Sequence, residues 1–124
     1  MLATFFQEGG WGMWPILVFG LVLLVSAGRY AWDLEPARLR FSLAMFALIT
    51  VVTAHATVSD LAAVCHALHD PARVPDDALT RTLYEGLMES TRPALLAFAT
   101  MSLAMVFVTI GVYRRGAREL RASA

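Results

Sequence analysis

Residues 93–113 read PALLAFATMSLAMVFVTIGVY, a run of 21 residues without a charge. At about 1.5 Å of rise per helical residue, it covers roughly 30 Å, the thickness of the hydrocarbon layer of a bilayer. Two other stretches match it: residues 9–28, GGWGMWPILVFGLVLLVSAG, and residues 41–59, FSLAMFALITVVTAHATVS. A soluble chain of 124 residues would bury one modest core and keep a polar surface. Here 58% of residues are hydrophobic and 16% charged, and the charges gather between and after the three runs. The pattern predicts an all-α integral membrane protein, a single domain over 1–124. Its three transmembrane helices are expected at about 14–32, 37–69 and 78–115.

The charges that remain narrow the function. Ten basic and ten acidic residues cancel, so composition gives no case for nucleic acid as a partner. Cys65 is the single cysteine, which excludes an internal disulfide and leaves no redox motif. Residues 1–14 hold Glu8 and no basic residue, unlike a cleaved leader, so the first helix reads as retained. With no lysine in the chain, orientation rests on arginine alone. Arg29, Arg38 and Arg40 flank the first connection, and Arg114, Arg115, Arg118 and Arg121 follow the third run. The second connection offsets Arg73 and Arg81 with Asp70, Asp76 and Asp77. Three spans with the N-terminus outside put both arginine-rich segments, and the C-terminus, in the cytoplasm.

Local signals set the expected ends. Pro15 suits a first helical turn, and Pro36 an early position of the second helix. Gly9 and Gly10 are expected to separate the short apolar start, residues 1–6, from the first span. Trp11 and Trp14 at one end of that span, with Tyr30 and Trp32 at the other, are expected at the two headgroup levels. Gly20 allows one close helix approach. Residues 33–40 read as a connection of about eight residues, and the prolines and aspartates of 69–76 as turns. Asp76 or Asp77 is expected to cap the helix that follows. Pro93 either kinks that helix or divides an interfacial piece from the span proper.

The polar residues inside these helices carry the candidate chemistry. Thr50, Thr53, Thr57 and Asp60 fall at i, i+3, i+7 and i+10, on one side of the second helix. A polar stripe facing lipid is costly, so it is expected to face protein or water. It reads either as hydrogen bonding between or within helices, or as a hydrated path for a proton or small cation. His55 lies off that stripe. It reads as a neutral histidine hydrogen-bonded inside the bundle, or as a proton relay, metal or haem ligand. His66, His69 and Asp70 lie beside Cys65, but the cysteine points elsewhere, and no metal or other cofactor is expected. Glu85, Glu89 and Arg92 share a side at the start of the third helix. They form either an ion-paired interfacial turn, with Glu89 on Arg92, or an acidic vestibule whose desolvated Glu85 or Glu89 takes up protons. Ser90 adds a hydroxyl beside them. No hydrolase triad, phosphate loop or HExxH pattern is present, so the chain does not read as an enzyme.

Three of these stretches resemble the MotA/TolQ/ExbB-type proton-channel family of flagellar stators and energy-transducing complexes. GGWGMWPIL at 9–17 is similar to the start of that family's first helix, LITVVT at 48–53 to its second-helix signature, and YEGLMEST at 84–91 to the start of its third helix. The likeness puts the family's channel threonines on Thr50 and, as a serine, Ser90, and its third-helix acid on Glu85. It implies a bacterial inner-membrane, multi-pass protein. It also implies a homo-oligomeric ring, five subunits in the family, around a single-span partner whose aspartate carries the proton. The chain differs from the family in lacking the large cytoplasmic domain between the first two helices, in Ile49 and Thr53 where glycines stand, and in Arg92 and Pro93.

Two functions follow as expectations. One is a channel-like subunit of a proton-driven inner-membrane complex, with Thr50, Thr53, Thr57, Asp60, Glu85 and Ser90 along the ion path and His55 or Glu89 as a relay. The other is a structural or accessory membrane protein whose polar stripes mediate helix packing and assembly without transport. A weaker third is a redox or metal-binding subunit using His55 or His66 and His69. Lipid is a partner in each.

Overall fold

The computed structural model describes residues 11–70, 72 and 74–123. The apolar start at 1–6, the Gly9-Gly10 break, Glu8 and Arg73 lie outside the described residues. Helix α1 runs Met13–Asp33, α2 Pro36–Leu68, α3 Leu79–Ser90 and α4 Arg92–Ser123, with a short 3-10 turn, Asp76–Ala78, before α3. The described residues hold three helical segments long and apolar enough to cross a membrane, as the apolar runs require. At about 1.5 Å per residue, α1 is about 31 Å long, whereas α2 and α4 approach 50 Å and overhang a bilayer.

The connection between α1 and α2 is shorter than the expected eight residues. Leu34 adopts a left-handed conformation (φ 60°) and its N–H bonds back to the Tyr30 carbonyl, ending α1. Pro36 starts α2 at once in its first turn, so Arg38 and Arg40 sit on the helix rather than in a loop. The third segment divides at Thr91. Pro93 has no N–H to offer the Glu89 carbonyl, and Thr91 turns its own N–H onto that oxygen instead. Of the two readings of Pro93, the structure favours a division, with the short helix α3 set off from the long α4. Neither Asp76 nor Asp77 caps α3 through its side chain, because the 3-10 turn intervenes and Ala78 takes the cap position.

Helix α1 is the centre of the bundle. It packs most extensively on α4 and next on α2, while α2 and α4 touch each other much less. The inward face of α1 is Met13, Ile16, Gly20, Leu23, Ala27 and Tyr30, spaced three or four apart. Helix α2 buries Ser42, Met45, Ile49, Thr53 and Ala56, and α4 buries Pro93, Ala97, Ala104, Val108 and Gly111. Small residues recur on these faces because lipid tails are as apolar as leucine. Close contact, rather than escape from water, holds such helices together. Gly20 fits the expected close approach: a Cβ there would lie 3.1 Å from the Thr100 side chain. Gly111 is tighter, since a Cβ would come within 2.6 Å of the Tyr30 ring. That contact corrects one expectation. Trp11, Trp14 and Trp32 are exposed at the two ends of α1, but Tyr30 is fully buried under α4 instead of facing the headgroups.

Candidate functional site: the threonine groove between α2 and α4

Because α1 separates α2 from α4, the two outer helices splay and leave a groove of about 300 Å³. Its α2 wall is Thr50, Thr53, Ala54, Thr57 and Val58, and its α4 wall Ala94, Ala97, Phe98 and Met101. Three members of the threonine stripe therefore do share one wall, facing another helix of the same chain. They are not equivalent. The buried face of α2 passes through Ile49, Thr53 and Ala56. Thr53 belongs to it, while Thr50 and Thr57 sit about a quarter-turn to one side.

The hydroxyls divide accordingly. Thr50 is exposed on the groove rim and its Oγ1 donates to its own helix, at the Phe46 carbonyl, 2.9 Å away. Thr53 is buried and its Oγ1 has no partner. Thr57 and Asp60, both half-buried, make no hydrogen bond within the described chain. Asp60 is absent from the groove lining, as are Glu85 and Ser90.

The acidic group at α3 is built differently from either expectation. Glu85 is exposed and pairs with Arg81, 2.8 Å away and one turn earlier. Glu89 is exposed and stands without an ion pair among the described residues, so the expected bond to Arg92 is not made. Ser90 is buried, and its Oγ donates to the Gly86 carbonyl at 2.8 Å. A side-chain hydrogen bond that joins two hydroxyls across spanning helices lies elsewhere, Ser26 to Ser42 at 3.0 Å, between α1 and α2. The sequence reading missed that pair. Two serines at mirrored distances from the α1–α2 turn were the available signal.

His55 also departs from expectation. It is exposed on the outer side of α2, within the apolar run, and makes no hydrogen bond in the described chain. It is therefore not the internally bonded histidine of the bundle interior. Cys65, His66 and His69 are exposed at the far end of α2, and no three His, Cys, Asp or Glu side chains among the described residues converge as metal ligands.

No family model, no curated protein and no solved structure is similar enough to this chain to match it. The likeness to the MotA/TolQ/ExbB-type family stands on the quoted residues alone.

Proposed function

We propose that this chain is a non-enzymatic structural or accessory subunit, a three-span bundle that assembles in the membrane with further copies of itself and conducts nothing on its own. The observation that carries this reading is His55. An imidazole exposed at membrane depth, with no partner among the described residues, is costly against lipid and cheap against a neighbouring protein. The hydroxyls support it as well: those of Thr50, Ser90, Thr100 and Thr109 all return to carbonyls of their own helix, which closes them off as water-file donors. In the same reading the membrane is a bacterial inner membrane, the N-terminus lies outside, and the arginine-rich end of α4 lies in the cytoplasm. Reporter fusions after residue 123 and near residue 72 should then give opposite signals.

The test is the mass of the complex, in mild detergent and in nanodiscs. The wild-type chain should run as a cyclic oligomer, and His55→Leu should shift it toward smaller species while leaving its helix content intact. A wild-type chain that is a strict monomer in both media overturns the proposal.

The channel-like reading retains one specific observation in its favour, the buried and unpartnered Thr53 hydroxyl next to Thr50 and Thr57, although the groove they line is almost entirely apolar. It requires a single-span partner to complete the path. Proton flux into liposomes carrying both proteins should fall with Thr50→Val and with Glu85→Gln. Unchanged flux in both variants removes the path.

A further inference from the structure

A second groove, of about 570 Å³, lies along α1 and α2 beside their Ser26–Ser42 contact. Leu21, Val22 and Val25 of α1 and Phe41 of α2 form its apolar part, and Arg29 and Arg38 stand at one end. It is a shallow, open trough rather than an enclosed pocket. From Leu21 to Arg29 it follows α1 for about 12 Å. That is most of the depth of one leaflet's hydrocarbon, about half of a 30 Å layer.

The two arginines differ. The Arg38 guanidinium is already engaged by Asp33 at 3.0 Å and Glu35 at 2.9 Å. Arg29 is exposed and has no hydrogen bond or ion pair within the described chain. It is also the first charge after the apolar run of α1, so it lies where hydrocarbon meets headgroups. An unpaired guanidinium there is a ready donor to a phosphate, in the bidentate geometry that suits arginine.

We propose that this groove binds an anionic phospholipid, with an acyl chain along Leu21, Val22, Val25 and Phe41 and the headgroup phosphate on Arg29. Charge complementarity selects the lipid: Arg29 presents a positive charge that no carboxylate of the described chain engages, whereas Arg38 is held by both Asp33 and Glu35. The inference needs a bilayer and a groove left open to lipid when copies assemble, because Ala37 of its lining lies on the His55 side of α2.

Native mass spectrometry of the intact chain, released from nanodiscs of equal phosphatidylglycerol and phosphatidylcholine, tests it. The wild-type chain should retain phosphatidylglycerol preferentially. Arg29→Gln should lower that retention about tenfold, as expected for the loss of one charge-assisted hydrogen bond to phosphate. Arg40→Gln removes an equally unpaired arginine of the same end that does not line the groove, and should leave retention unchanged. Val25→Trp fills the groove without touching charge and should lower retention as Arg29→Gln does, at unchanged helix content. Equal losses for Arg29→Gln and Arg40→Gln would reduce the effect to general surface charge and overturn the site. Retention of both lipids alike by the wild type would overturn it too.

Discussion

The two sides of α4 are packed by opposite rules. Toward α1 it presents Ala104, Val108 and Gly111 in close contact, with Gly20 and Tyr30 seated against it. Toward α2 it presents Ala94, Phe98 and Met101 across an open groove whose far wall is threonine. The first side is shaped by size, because in a membrane only close approach distinguishes a helix from lipid. The second shows almost no polar surface, because the Thr50 hydroxyl turns onto its own helix and the Thr53 hydroxyl is buried. The close side maintains the fold, and the open side leaves the buried Thr53 hydroxyl without a partner.

The comparison breaks most readily on its closed side. Gly111→Val places a branched side chain into the Tyr30 ring and against the Ala31 backbone, neither of which has room to retreat. The expected loss is about 2 kcal/mol, typical of overpacking, read as a lower midpoint in a denaturing-detergent titration. A midpoint equal to wild type would mean that the α1–α4 contact is looser than described.

Thr53→Val probes the open side at nearly constant volume. It deletes a buried hydroxyl that has no partner, so the isolated chain should be unchanged or more stable by up to about 1 kcal/mol in the same titration. A marked loss would show that the hydroxyl is bonded after all, to a water or to a neighbouring helix.

The smallest effect is expected at Glu85→Gln. The Arg81–Glu85 pair is an exposed i,i+4 contact on α3, away from both sides of α4. Pairs of this kind are screened by solvent, and the variant should unfold at the wild-type midpoint with unchanged oligomer mass. A clear shift in either measurement would move Glu85 from the surface into an interface.

The sequence alone determined the spans and several of their ends, and the reason is local. Bilayer thickness converts an uncharged run into a helix of known length, and Pro36 and Pro93 constrain the backbone wherever they stand, whatever packs around them. It also brought Thr50, Thr53 and Thr57 to one side of α2, since helical periodicity needs no partner to act. What periodicity could not supply was the direction in which each face points. Hydropathy separates inside from outside in water, but lipid is as apolar as a bundle core, so Leu21 and Leu23 carry the same signal and only one of them is buried. The placement of α1 between α2 and α4, the burial of Tyr30, the outward position of His55 and the pairing of Glu85 with Arg81 were decided by tertiary structure. Which small residue meets which neighbour fixes those features, and that is a property of three helices together.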